Sequence, residues 1–326
     1  MEKLLKNKDI YTSIDMHKKL IIHITILVFV LTHVYEIRAQ QDPSFTQYMF
    51  NTMTINPAYA GTRNVLSANL LHRSQWLGID GAPETQTLSI HSPIRDGQMG
   101  LGLNVIHDQI GPVTTTSFNG NYSYILPIDR FTNLSLGLNA GADLFDIDFS
   151  KLNVFDPADP NFQNNLDTKL SPQVGLGAMI YNDIYYVSLS VPRLLKTDFY
   201  DNNDGSVSVA QQRLHYYLTA GYVFDVQDDI KFKPSILTRF VSGSTTRIDL
   251  SANFLFYDKF SLGGAYRLSS AFSVLSTYQI SDAFLVGFSY DRDTSELVTF
   301  NDGSFEIFFR YELFKKYKKM YTPRFF

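Results

Sequence analysis

From Asn64 onward no helical period persists in this chain, whereas a two-residue period recurs almost to its end. Successive side chains of a strand point to opposite faces, so such alternation requires a sheet whose two faces meet different surroundings. Ile248, Leu250, Ala252, Phe254 and Phe256 alternate with Arg247, Asp249, Ser251 and Asn253. Thr116, Phe118, Gly120, Tyr122 and Tyr124 alternate with Ser117, Asn119, Asn121 and Ser123. Leu134, Leu136, Leu138, Ala140 and Ala142 alternate with Ser135, Gly137, Asn139, Gly141 and Asp143. Near the end Phe305, Ile307, Phe309, Tyr311 and Leu313 alternate with Glu306, Arg310 and Glu312, and Phe308 is the exception. Polar and glycine residues on one face with large apolar ones on the other describe a wet lumen inside a lipid-facing wall.

The alternation predicts strands over 64–73, 84–92, 98–107, 113–126, 131–147, 171–181, 184–192, 209–225, 229–241, 245–257, 259–268, 271–280, 283–291 and 305–314. That is about 14, an even number, as a closed antiparallel barrel with both termini on one side requires. The joins at 93–97, 127–130, 182–183, 226–228, 258 and 281–282 are tight and mostly rich in Asp, Asn, Gly and Pro. The longer joins, 74–83, 148–170, 193–208 and 292–304, all fall at the opposite end, together with short ones at 108–112, 242–244 and 269–270. Short turns on one side and longer loops on the other is the asymmetry of an outer-membrane barrel with periplasmic termini. Pro234 has no N–H for the ladder, so it should mark a bulge or the start of a strand.

Composition agrees. Charged residues are only 18%, and 26 Phe and 20 Tyr stand against a single Trp, as expected where rings line two membrane interfaces. Cysteine is absent, which excludes thiol catalysis and Cys-ligated zinc. Residues 1–39 carry six basic and four acidic residues, which leaves 22 Lys and Arg against 28 Asp and Glu, a net −6. Nucleic acid is therefore not an expected partner. Leu20–Leu31 is an apolar run of about a dozen residues, too short to span a bilayer, preceded by Lys18 and Lys19 and followed by Ala39. It reads as a signal peptide over 1–39, with Met16 a possible true start.

The segment 40–63 stands between export signal and barrel. Phe45, Tyr48, Met49 and Phe50 give it an apolar face that water would not leave exposed. Asn56-Pro57 offers a rigid turn, because a residue before proline is pushed toward extended backbone, and Tyr59 follows. A plug or periplasmic cap is the expectation, with Phe45, Tyr48, Phe50, Asn56, Pro57 and Tyr59 as its docking residues.

Other candidate chemistry reads blandly. His72, His91 and His107 lie near the ends of the first three strands and could approach one another, but no pair has ligand spacing, so no metal is expected. Asp201-Asn202-Asn203-Asp204-Gly205 departs from a calcium loop, with Gly at the fifth position and Gln212 at the twelfth. Gly100-Leu101-Gly102 and Gly175-Leu176-Gly177 sit inside strands without a following helix, which suits a close-packed lumen rather than a phosphate cradle. No cofactor and no enzymatic activity are expected. Lys231, Lys233, Arg239, Arg247, Asp249, Arg267, Glu306 and Arg310 fall on the inward face and predict a lumen charge network, or else an ion preference. Residues 315–326 begin with a basic run that would stand on the periplasmic side.

Several words spread along the chain resemble the PorP/SprF family of type IX secretion outer-membrane proteins. They are Gln41-Asp42-Pro43-Ser44-Phe45-Thr46-Gln47-Tyr48-Met49-Phe50, Asn56-Pro57-Ala58-Tyr59-Ala60-Gly61, Arg73-Ser74-Gln75-Trp76, Pro83-Glu84-Thr85-Gln86, Lys233-Pro234-Ser235, Gly263-Gly264-Ala265-Tyr266-Arg267, Gly303-Ser304-Phe305-Glu306-Ile307 and Pro323-Arg324-Phe325-Phe326. The resemblance implies a non-enzymatic component of that apparatus in the outer membrane, linked to export or surface attachment of large adhesins and, in some bacteria, to gliding. Other secretion subunits, a secreted adhesin and outer-membrane lipid are the partners it implies. Asn56-Pro57-Ala58 also resembles the N-terminal hatch word of FadL-type channels, which leaves a hydrophobic-ligand transporter as the alternative. A basic tail after Phe314 departs from barrels that end on an aromatic residue of the last strand.

Overall fold

The computed structural model describes residues 43–151, 165–195, 214–241 and 244–313. The expected export signal over 1–39, most of the two longest loops, the acidic word at 201–205 and the basic tail lie outside them.

Fourteen antiparallel strands account for the sheet among the described residues. They are β1 (Leu66–Ser74), β2 (Glu84–Ile94), β3 (Met99–Ile110), β4 (Val113–Pro127), β5 (Asn133–Ile147), β6 (Leu166–Tyr181), β7 (Tyr185–Val191), β8 (His215–Tyr222 continued by Phe224–Gln227), β9 (Ile230–Val241), β10 (Arg247–Phe256), β11 (Phe260–Arg267), β12 (Ala271–Ser281), β13 (Phe284–Asp293) and β14 (Ser304–Leu313). Each pairs with its sequence neighbours, and β1 pairs with β14 from Leu66↔Leu313 to Ser74↔Phe305. The sheet thereby closes without an edge, so every strand finds its ladder partners within the barrel.

The two faces separate as the alternation requires. Leu70, Leu103, Leu138, Leu189 and Val274 point outward and are exposed, whereas Ser89, Asn121, Ser135, Gln173, Asn253 and Ser289 point inward and are buried. Outside, rings cluster at the end where β1 begins, with Tyr222–Phe224 at 4.5 Å, Phe232–Phe254 at 4.7 Å and Phe284–Tyr311 at 4.8 Å between centroids. At the other end Tyr266 stacks on Phe272 at 4.4 Å. Such rings belong at the boundary between hydrocarbon and water.

The joins sort as expected. Those at 95–98, 128–132, 182–184, 228–229, 257–259 and 282–283 lie at the end holding Leu66 and Leu313, and all the longer ones lie at the opposite end. Pro234 sits inside β9, and β8 breaks opposite it. Ser235 pairs with Gly221 and Phe232 with Phe224, while the Val223 N–H between them turns away to the carbonyl of Ile184 at 2.7 Å. β6 begins at Leu166 rather than 171, because its first residues extend the ladder with β5 beyond the apolar band.

Candidate functional site

Residues 43–62 lie on the inward face of the barrel as three short 3-10 turns, Tyr48–Phe50, Thr52–Thr54 and Pro57–Tyr59. Asn56 is extended and its side-chain oxygen accepts the Ala58 N–H at 2.9 Å, with Pro57 at the first helical position, where no N–H is needed. Gly61 leaves the segment at φ 75°, a conformation that favours glycine, and the chain then enters β1.

The short turns satisfy many of the segment's carbonyls internally, and the remaining buried ones need donors from elsewhere. The barrel wall supplies them. Ser190 donates to the Ile55 carbonyl, Ser135 to that of Ala58 and Ser123 to that of Ala60, each at 2.6 Å. Asn69 donates to the Phe50 carbonyl at 2.7 Å, and Asn51 is held by Thr87 and Ser89 at 2.9 Å each. The wall also comes close. A Cβ on Gly137 would collide with the backbone of Pro57 and Ala58, and one on Gly177 with the Asn56 side chain. Gly100 lies against Ala60 and Gly102 against Met53, so these inward glycines make room for the segment.

Apolar contacts complete the seat. Phe45, Tyr48, Met49, Phe50 and Ile55 form one buried cluster with Leu71, Tyr217, Leu237, Leu275, Leu285 and Phe308 of the wall. Phe50 stacks on Phe308 at 5.2 Å, and the Lys233 ammonium lies over the Phe50 ring, 5.5 Å from its centroid. Tyr59 packs with Met53, Ala58, Met179, Tyr181 and Tyr186. The exception in the last strand, Phe308, is thus a contact residue of this segment.

The charged inward residues form several ion-paired groups along the lumen. Glu306 accepts the backbone N–H groups of Thr46 and Gln47 at 3.1 and 2.9 Å. Arg73, its register partner across the closing seam, reaches Glu306 at 3.2 Å, Asp291 at 2.6 Å and the Thr46 hydroxyl at 3.0 Å. All three charged side chains are at most 4% exposed. Toward the long-loop end, Asp249 receives Arg247 at 2.8 Å and Arg267 at 3.1 Å, and Arg239 lies opposite Arg247 in register. Toward the other end, Arg310 lies 3.6 Å from Glu312, which also pairs with Arg63. Lys231 stands apart, at the rim with Asp258 of the turn at 2.9 Å. Arg73, Asp291 and Arg63 escaped the sequence reading, since their partners come from strands at opposite ends of the chain.

The histidines do not converge. His91 points inward and accepts the Gly61 N–H at 3.1 Å, with its ring 5.5 Å from that of Tyr59. His72 and His107 stand on the outward face, where they meet Ser74 and Thr116 at 3.0 and 2.9 Å. A polar cavity of about 40 Å³ remains beside the segment, lined among others by Asn104, Asn119, Asn121, Asn139 and Arg193.

An edgeless antiparallel barrel with an apolar wall and a polar lumen defines an outer-membrane β-barrel protein. The fold is similar to that of the CymD monoaromatic hydrocarbon channel, with 11% identity, TM-score 0.50, and 81% of this chain and 93% of that one covered. It is also similar to the Ralstonia pickettii toluene transporter TbuX, with 8% identity, TM-score 0.50, and 80% and 92% covered. A Pseudomonas aeruginosa FadL homologue aligns at 13% identity and TM-score 0.43 over 84% of this chain and 95% of that one. No curated protein sequence matches the chain. The model of the family "Type IX secretion system membrane protein PorP/SprF" matches residues 37–311, and the chain belongs to that family. It is thereby a membrane component of the type IX secretion apparatus.

Proposed function

We propose that this barrel is a non-enzymatic outer-membrane component that supports export or surface attachment of large adhesins, with gliding a consequence in some bacteria. Residues 43–62 act as its plug and as the element through which other secretion subunits are engaged. The observation that carries this reading is the seat of that segment. Glu306 and Arg73 hold its start, inward serines take its carbonyls, and inward glycines accommodate its backbone. A segment bound so specifically on the inward face suits a closed or gated barrel better than an open pore. The short turns share an end with Leu66 and Leu313, which supports periplasmic termini reached after cleavage of residues 1–39.

The FadL-like reading draws on Asn56-Pro57-Ala58 and on the shared barrel. Against it, the cavity beside the segment is polar and about 40 Å³, well below the roughly 300 Å³ at which ligand pockets begin. Deleting residues 42–61 in the native host tests the proposal. The barrel should still insert and show heat-modifiable migration, while adhesin at the cell surface is lost or the membrane becomes leaky. An inserted, impermeable deletion variant with normal surface adhesin would overturn it.

A further inference from the structure

At the end holding the longer joins, the loop 292–304 is held from the outside of the barrel. Tyr290 and Arg292 alternate along β13 with the inward Ser289 and Asp291, so they point outward. They lie in register with Val274 and Phe272, which are 59% and 57% exposed on the lipid-facing wall. From there the Tyr290 hydroxyl donates to the Asp302 carbonyl at 2.6 Å. Arg292 donates to the carbonyls of Asn301 at 2.9 Å and Val298 at 3.2 Å. Gly303, at φ 92°, lies so close that a Cβ there would collide with the Tyr290 hydroxyl. The loop therefore leans over the outer wall rather than over the lumen.

What it presents there is apolar. Phe300 is 70% exposed and Leu297 42%, at and beside the short turn Glu296–Thr299. The backbone carrying them is fixed: buried Asn301 donates to the Leu297 carbonyl at 2.6 Å and accepts the Gly303 N–H at 2.8 Å. Large apolar side chains displayed on an ordered backbone mark a surface that meets something other than water. Tyr266 and Phe272, stacked on the wall at the same end, belong to the layer where hydrocarbon gives way to water. Glu296 and Asp302 are exposed on the same loop, so the depth that suits it is the headgroup layer and not the hydrocarbon centre.

We propose that Leu297 and Phe300 form a membrane foot whose partner is the lipid of the adjoining leaflet. The upper acyl chains receive the two side chains, and the headgroups solvate the neighbouring acids. Foot and wall then make one continuous lipid-facing surface. The Leu77 N–H donates to the Gly303 carbonyl at 2.9 Å, and the Asp302 N–H to that of Leu77 at 2.8 Å. Through these bonds the foot also braces the rim where β14 closes on β1. This inference rests on the barrel standing in lipid and not on what it exports.

Trp76 is the single tryptophan, so Trp76→Phe with Phe300→Trp puts a lone reporter on the foot of the full chain in phosphatidylcholine vesicles. Phospholipid brominated near the headgroup end of its acyl chains should quench the reporter. Iodide on both sides of the membrane should quench it roughly ten-fold less than it quenches a free tryptophan amide. Adding Tyr290→Phe and Arg292→Gln, which releases the loop, should raise iodide quenching and weaken quenching by the brominated lipid. Iodide quenching close to that of the free amide would overturn the proposal, and so would a reporter silent to both quenchers, as under a protein surface. Lipid quenching undiminished in the released loop would overturn it too, since any tryptophan on a slack loop would then suffice. If the reporter chain does not assemble, Leu297→Cys carrying a small fluorophore on the otherwise native, cysteine-free chain is read with the same quenchers and the same outcomes decide.

Discussion

Replacing Arg73 by methionine is expected to loosen residues 43–62 from the barrel wall. Arg73 is 1% exposed and bridges Glu306, Asp291 and the Thr46 hydroxyl at 2.6 to 3.2 Å. Without it, two carboxylates remain buried side by side with no cation between them, and removing one partner of a buried pair costs about 3–5 kcal/mol. Because Thr46 and Gln47 are bonded to the same acids, the cost falls largely on the seated state. Opening should then be roughly 100- to 3,000-fold more frequent, at about 1.4 kcal/mol per factor of ten. The chain has no cysteine, so Thr52→Cys supplies a single thiol on the segment. The Thr52 hydroxyl bonds only the Tyr48 and Met49 carbonyls of the same segment, which keeps the probe mild. Thiol labelling in lipid vesicles should accelerate by that factor in Arg73→Met and fall most of the way back when Asp291→Asn and Glu306→Gln are added. Labelling within about threefold of the parent, or faster still after neutralising the acids, would refute the role assigned to this cluster.

The same labelling assay separates the two faces. Gly137→Ala places a carbon into the backbone of Pro57 and Ala58 and should weaken the seat by ~1–3 kcal/mol. Gly120→Ala, whose added carbon meets only the Ala140 carbonyl at 3.6 Å, should stay within ~0.5 kcal/mol. Leu138→Arg on the outer wall should destabilise the barrel by ~2–4 kcal/mol in vesicle unfolding, whatever it does to the lumen. In the turn between β4 and β5, the N–H groups of Phe131 and Thr132 hold the exposed Asp129 carboxyl below its usual range. A lowered folded-state value means its contribution is present above about pH 4 and lost as pH falls. The protection factors of the Phe131 and Thr132 amides, exchange rates taken relative to the unstructured rate at each pH, should therefore fall on acidification in the parent but not in Asp129→Asn.

The barrel was legible wherever a strand crosses apolar surroundings, because there the lumen and the hydrocarbon impose opposite chemistry on neighbouring residues. It blurred where that contrast ends. At the start of β6 the Thr168 hydroxyl bonds Asp146 of β5 outside the band, so both faces are polar and the period disappears. Val223 shows a different limit. Its break depends on Pro234 of the next strand, which no window along β8 contains. The seat of residues 43–62 was half visible. Their own apolar residues stood out, and Leu71, Leu237, Leu275 and Phe308 on the inward face were a second signal, since an otherwise polar lumen has no use for them except against a partner. Arg73 and Glu306 could not be joined from the sequence alone, because their pairing exists only through closure of β1 on β14.

The secretion role is tested most directly by purifying the tagged full chain from native outer membranes and identifying what accompanies it. Co-purification of other type IX secretion subunits or of a large surface adhesin is the expected result, and it should be lost when residues 42–61 are deleted. Recovery of the barrel with bound fatty acid or another hydrophobic ligand, and without any secretion subunit, would contradict that role and favour the channel.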